Sequence, residues 1–258
     1  YVTPRFNQQG VFKNTNEAYE YGYFLGNRYR TKKNIIWILG GDRLPNETID
    51  GISIWRAMAE GITDGVTNNK LHDNQADYQA TFMTYHCFYP SSIWFEQDDW
   101  IDFHMWGSYH EKRNNDRAFE IPYYQWNLKN LKPTINSEPA YEFGHINYDR
   151  EGRFGEFDDF DVRQQAYWSV FAGAAGHTYG ASAIWSFYNP RYSQTSKKIF
   201  TWMDQLDAPG ATQLVHLKNL MTHPDIQSRL PAQDMLLANT HDETGHLQAI
   251  RSDHRAYV

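Results

Sequence analysis

The chain is poor in the features that decide many functional classes at once. It has a single cysteine, Cys87, so neither a disulfide nor a cysteine-built zinc site can form within it. Basic tracts and basic amphipathic stripes are missing, and the formal net charge is -7. Nonspecific binding to nucleic acid or to an anionic membrane is therefore not expected. No apolar run reaches membrane-spanning length, and no signal peptide is visible. His-x-His and His-Glu-x-x-His patterns do not occur, so a metal-dependent hydrolase would have to gather its ligands from remote positions. No metal or cofactor is expected. The sequence opens at Tyr1 without a methionine, and the natural N-terminus is expected to lie upstream.

What the chain has in excess is aromatic surface. Its 258 residues include 9 Trp and 18 Tyr, and aromatic residues make up 16% of the whole. Many stand beside Asp, Glu, Asn, His or Arg. Aromatic faces pack on the C–H faces of sugar rings while polar neighbours bond the hydroxyls, so this composition suits a carbohydrate cleft, although core packing also uses such rings.

The pattern along the chain alternates strand and helix. Helical spacing or capping predicts helices over Asn16–Arg30, Ile52–Ile62, Arg117–Asn127 and Asp161–Ala175. Apolar runs predict strands over Asn34–Leu39, Thr81–His86, Trp100–Trp106, the run before Glu138, and Ala181–Trp185. The link after His86 is too short and aromatic for a full helix. Two further helical stretches, Ile199–Leu206 and Gly210–Thr222, are expected to break at Pro209. From Pro224 the texture changes to short strand-like runs, Met235–Ala238, Leu247–Arg251 and Ala256–Val258. Alternation of this kind implies a mostly parallel sheet with helical crossovers. Five strands already occupy the first 190 residues, whereas an eight-stranded barrel takes about 250 in all. The fold is thus an open sheet or a piece of a barrel.

Two carboxylates stand at strand ends. The run Pro133–Ser137 stops at Glu138, and Pro139 biases Glu138 away from helix, so the acid stays extended. Upstream, Asn34–Leu39 reads as a buried strand that Gly40 and Gly41 end at Asp42. Taken singly, an Asp after Gly-Gly is also a common turn or cap residue, and a Glu before Pro is also ordinary loop. Together they fit glycoside hydrolysis, which needs one protonated carboxyl for the leaving oxygen and one carboxylate to attack carbon or activate water. His86 and His110 follow strands where imidazoles can bond sugar hydroxyls. Arg163, His110 and Tyr179 are the cations and donors expected to keep Glu138 ionised. Glu142 is either a substrate contact or a loop anchor. Trp185 is a candidate stacking platform, while Trp37 and Trp168 read as core.

These residues carry a family resemblance. The runs NIIWILGGDR (34–43), WIDFHMWGSYHE (100–111) and SEPAYE (137–142), with Arg163 and AGAAGHTYGASAIW (172–185), resemble the apiosidase-like glycoside hydrolases. The resemblance implies a (β/α)8 TIM barrel, strands four to eight of which lie in this chain as residues 1–222. It implies that residues 223–258 begin a β-rich module, the small β-sandwich labelled as collagen-binding in those proteins. It further implies Asp42 as acid/base and Glu138 as nucleophile. The usual signature of the large retaining-barrel clan places Asn-Glu on strand four, so these roles rest on the narrower family. The expected substrate is an oligo- or polysaccharide of plant cell wall or related origin, met outside the cell or in the periplasm. The competing expectation is a noncatalytic carbohydrate- or matrix-binding protein on a degenerate barrel. A five-strand piece with uncovered sheet edges is not expected to fold alone.

Overall fold

A computed structural model describes residues 3, 10–191, 200–239 and 245–258. The chain forms two compact units, one from residues 1–106 with 129–133, the other from 107–128 with 134–258.

The first unit begins with helix α1 (Thr15–Tyr29), capped by the Asn14 side chain, which accepts from the Glu17 N–H at 2.9 Å. Strand β1 (Trp37–Gly40) follows, then helix α2 (Gly51–Thr67) and strand β2 (Met83–His86). β1 and β2 pair in parallel with Gly40 opposite His86. One helical turn, α3 (Ser92–Phe95), leads to strand β3 (His104–Trp106). That single turn fits the expected loop. Trp37, Leu39, Ile54, Trp55, Met58, Met83, Tyr85 and Phe95 form the core.

α1 and α2 meet through glycine rather than through interlocking side chains. A Cβ on Gly22 would fall 2.4 Å from the Met58 carbonyl oxygen, and one on Gly26 2.1 Å from that of Ile62. From the other side, a Cβ on Gly61 or Gly65 would meet the Tyr19 or Tyr23 carbonyl at 2.2 and 2.4 Å. The backbones therefore touch, and the buried stripe of α1 runs through Ala18, Tyr19, Gly22 and Gly26. Phe24 is 55% exposed because this stripe is set by the small residues. α2 also runs longer than its apolar spacing predicts. Its extra turn buries Asp64, which accepts from the Tyr19 hydroxyl at 2.6 Å.

The second unit holds helix α4 (Arg117–Trp126), strand β4 (Thr134–Asn136), helix α5 (Asp159–Phe171) and the two-residue strand β5 (Gly176–His177). β4 and β5 are parallel, with Asn136 opposite His177. Asp158 and Asp161 close a capping box at the start of α5. The predicted strand Ala181–Trp185 is a correction: Ser182–Trp185 is the short helix α6, and the strand lies earlier, at β5. The reason is tertiary. Ala181 still makes an isolated parallel bridge to Glu142, with the Ser182 N–H donating to the Glu142 carbonyl at 2.9 Å, but the Ala183 N–H goes to the Gln205 side chain at 2.7 Å, and the run continues as a helical turn instead of a strand. Helix α7 (Pro209–Thr222) starts at Pro209, which fits the first helical turn because its missing N–H has no intrahelical partner there. Of the predicted helix Ile199–Leu206, Ile199 lies outside the described residues and 200–206 forms turns.

Near the end, strands β6 (Leu230–Pro231), β7 (Ile250–Arg251) and β8 (Ala256–Tyr257) make a small antiparallel sheet in that order. Residues 235–238, expected as a strand, instead leave a single 3-10 turn, Gln233–Met235. The architecture is α/β. Among the described residues no helix is long and apolar enough to cross a membrane. Trp37 and Trp168 are 2% and 6% exposed, as core residues should be.

Candidate active site

In the first unit the end of β1 positions Asp42. Gly40 has φ +83°, and a Cβ there would lie 2.4 Å from the His86 carbonyl and 2.5 Å from the Tyr85 ring. Only glycine meets both demands. The Gly41 N–H then donates to the same His86 carbonyl at 2.9 Å, tying the turn to the end of β2. The result sets Asp42 Oδ1 3.2 Å from His86 Nε2, with the Asp42 side chain 44% exposed and His86 9%. Arg43, next in sequence, reaches Glu47 at 3.8 Å.

In the second unit β4 delivers Glu138, whose side chain is 16% exposed. The Tyr109 N–H holds the Glu138 carbonyl at 2.9 Å. The Tyr141 hydroxyl donates to the carboxylate Oε1 at 3.3 Å, and His110 Nε2 stands 3.7 Å from it. His110 Nδ1 accepts from the Tyr141 N–H at 3.3 Å. A neutral ring that accepts at Nδ1 carries its proton at Nε2, so His110 turns its N–H toward Glu138. The Tyr148 ring stands on edge to His110, 5.4 Å away at 87°. Burial and the nearby Glu111 push the Tyr148 hydroxyl upward, keeping it protonated.

Beneath Glu138 lies a polar network with no water-facing member. Ser108 Oγ donates to Gln165 Oε1 at 2.9 Å and accepts from Asn136 Nδ2 at 2.9 Å. Asn136 also donates to Ser169 at 3.1 Å, and Gln165 Oε1 accepts the Ala140 N–H at 3.0 Å. All four of these polar residues have no accessible surface. The network bonds the segments on both sides of Glu138 to α5. Low dielectric makes each bond stronger and each missing partner costlier.

The remaining sequence candidates separate. Glu142 is fully buried; its carboxylate accepts the Tyr179 hydroxyl at 2.6 Å and the Gly210 N–H at 3.1 Å. Gly210 is in the first turn of α7, where backbone N–H groups favour an anion. Glu142 and Tyr179 are therefore an anchor, and burial with the Glu142 charge holds the Tyr179 pKa up. Arg163 is not brought to Glu138: it pairs with Asp159 at 2.6 Å and bonds Gln213, lining a groove between α5 and α7 with Phe160, Gln164, Tyr167 and His216. Trp185 is 71% exposed, and its ring lies 6.2 Å from that of Tyr141. Tyr141 was missed by residue-type reasoning although it lies three positions after Glu138. Ser108, Asn136 and Gln165 gave no local signal.

Backbone strain gathers in the same unit. Tyr109, Phe143, Tyr148 and Phe187 have φ of +57°, +60°, +54° and +48°. Asn and His tolerate that region, but bulky rings there cost on the order of 1 kcal/mol each and persist where surrounding structure enforces them.

The chain is similar to known proteins over most of its length. The family model described as "Apiosidase-like, catalytic domain" matches residues 2–228. A solved structure described as "Glycoside hydrolase" is 31% identical with a TM-score of 0.79, covering 93% of this chain and 54% of that one. A second, described as a glycoside hydrolase family 5 protein from Bacteroides vulgatus ATCC 8482, is 33% identical with a TM-score of 0.75, covering 93% and 51%. The chain spans about half the length of these solved structures. No curated protein matches it.

Proposed function

The chain belongs to the apiosidase-like catalytic domain family, and on that footing we propose that it hydrolyses glycosidic bonds of plant cell-wall or related polysaccharide by a retaining mechanism. Glu138 attacks the anomeric carbon, and the bond to the leaving oxygen breaks as Asp42 gives that oxygen its proton. Asp42 then takes a proton from water, whose oxygen displaces Glu138 and frees the sugar. His86, 3.2 Å from Asp42, orients the acid. In this reading β1 to β5 are strands four to eight of a (β/α)8 barrel whose earlier strands lie outside the chain, and residues 223–258 begin a β-rich module. The work is done outside the cell or in the periplasm.

The observation that carries the reading is the setting of Glu138: a strand-end carboxylate, mostly buried, that accepts from the Tyr141 hydroxyl, faces His110 and rests on a pre-built network. A nucleophile needs that fixity, since misplacement by about 1 Å can cost a hundredfold in rate.

The test is leaving-group dependence on a panel of aryl glycosides, apioside included, with the full-length protein. Glu138→Gln should lose turnover on every active substrate by at least about 10⁴-fold, and Asp42→Ala should lose about 10²–10⁴-fold on poor leaving groups but little on activated ones. Azide should restore the Asp42→Ala protein, and NMR should show the first-formed sugar with its anomeric configuration kept. Turnover that survives Glu138→Gln would sink the assignment of Glu138, whereas no turnover by the unaltered protein on any substrate of the panel would favour a binding role.

A further inference from the structure

We propose that Tyr148 determines which sugar the Glu138 site accepts, its hydroxyl donating a hydrogen bond to a ring hydroxyl of the unit whose anomeric carbon Glu138 attacks. The inference rests on the reading of Glu138 as the nucleophile and adds to it a specificity-determining residue.

Contact carries from Glu138 to Tyr148 without a gap. His110 Nε2 stands 3.7 Å from the Glu138 carboxylate, and three rings box its imidazole: Tyr141 at 4.5 Å, Tyr148 at 5.4 Å and Phe157 at 6.2 Å between centroids. The three differ in what they offer a substrate. Phe157 is buried and packs with Ala140 and Ile146, and Tyr141 directs its hydroxyl at Glu138. Of the three, only Tyr148 presents a large part of itself to solvent, at 52%.

The loop that carries Tyr148 is bonded to His110 and to itself. The Asn147 N–H donates to the His110 carbonyl at 2.6 Å, the Ile146 N–H to the Gly155 carbonyl at 3.1 Å, and the Phe157 N–H to the Gly144 carbonyl at 2.9 Å. Asp149, next after Tyr148, accepts the Arg153 N–H at 2.7 Å and its guanidinium at 3.0 Å. Within this frame Tyr148 sits at φ +54°, directly after Asn147 at φ +57°. Asparagine tolerates that region and a bulky ring does not, so glycine or asparagine at 148 would relieve the strain. Strain enforced by surrounding bonds beside a reactive group marks a side chain placed for a task.

The state of the hydroxyl defines that task. Burial and the charges of Glu111 and Glu138 hold it protonated. Those carboxylates act on it through space, whereas the group that approaches it closely, the His110 main-chain N–H, is itself a donor. A phenol approached by an N–H keeps its own O–H to give. The oxygen it is placed to meet is one that enters with the substrate. A donor that reads a substrate hydroxyl discriminates against the analogue lacking it, because the site is then left with an unpaired polar group.

The test is steady-state kinetics of the full-length protein on an aryl glycoside that it hydrolyses and on the analogues of that glycoside that each lack one ring hydroxyl. Tyr148→Phe removes the oxygen and keeps the ring against His110. It should lower kcat/KM about tenfold on the parent glycoside while leaving Tm as in wild type. On the one deoxy analogue whose missing hydroxyl Tyr148 reads, variant and wild type should be equal; on the other analogues the tenfold loss should persist. Wild-type kcat/KM of the variant on the parent glycoside overturns the proposal. So does an equal loss on every analogue, which is what a residue that only positions His110 would give. A failed nucleophile assignment shows separately, as Glu138→Gln protein that still turns over the parent glycoside, and absence of turnover by the unaltered protein removes both readings.

Discussion

Asp42 in the first unit keeps 44% of its side chain in solvent and touches the His86 imidazole. Glu138 in the second keeps 16%, meets Tyr141 and His110, and rests on a dry network tied into α5. The first is positioned by what the backbone lacks, a Cβ at Gly40; the second is positioned by what surrounds it. The difference fits the two tasks proposed for these carboxylates. An acid/base must exchange its proton with water in each cycle, so exposure serves it. A nucleophile must arrive at carbon in one orientation, and rigidity serves that.

Four changes would break or sharpen this contrast, the largest first. Gly40→Ala puts a Cβ into the His86 carbonyl at φ +83°; it should cost about 3–4 kcal/mol, read as a drop in urea midpoint. Unaltered stability would mean that the turn relaxes and that Asp42 is not fixed by glycine. Gln165→Leu strips the acceptor from Ser108 and from the Ala140 N–H. We expect about 2–3 kcal/mol of destabilisation and a fall in kcat with KM little altered, because Glu138 loses its support.

The third change is pH. Burial pushes His104 in the first unit down to about 4 and His177 in the second down to about 3, from an ordinary 6.5. Each is neutral when folded and takes up a proton more readily when unfolded. Their stabilising effect is therefore complete above pH 6.5 and is lost as pH falls through the window toward 4 and 3. For His104 alone the loss is on the order of 2 kcal/mol. Chemical unfolding at pH 7 and pH 5 should show it, and His104→Gln should remove about half of the difference, His177 keeping the rest; an equal slope in wild type and variant would refute the assignment. The smallest effect belongs to Arg43→Ala. Its partner Glu47 is 3.8 Å away and the Arg43 side chain is 62% exposed, so stability should move by less than about 0.5 kcal/mol. A hundredfold loss of activity would instead bring Arg43 into the chemistry beside Asp42.

Local pattern made part of this visible. The positions of α1, α4 and β1 follow from caps, spacing and buried runs, and the two strand-end acids stood out because glycine pairs and prolines punctuate the chain around them. Residues whose roles come from distant partners were not visible. Gln165 is bonded to Ser108, 57 positions away, and to Ala140, 25 away; no periodicity announces such a contact. Ala181–Trp185 misled for the same reason. Its small apolar residues suit a strand, and Ala181 does bridge to Glu142, but Gln205 takes the next N–H, that of Ala183, and the run goes on as α6. Arg163 looked like a free cation until its Asp159 and Gln213 partners were seen.

The seam of Gly22, Gly26, Gly61 and Gly65 has a consequence in time as well as in space. Side chains that interlock gain contact gradually, through many imperfect arrangements. A seam of bare backbone gains almost nothing until the two helices reach their final separation, because dispersion fades within an ångström of contact. The α1 and α2 pair should therefore open and close as one step, and amide exchange measured along both helices should report a single shared opening energy rather than a gradient from frayed end to centre.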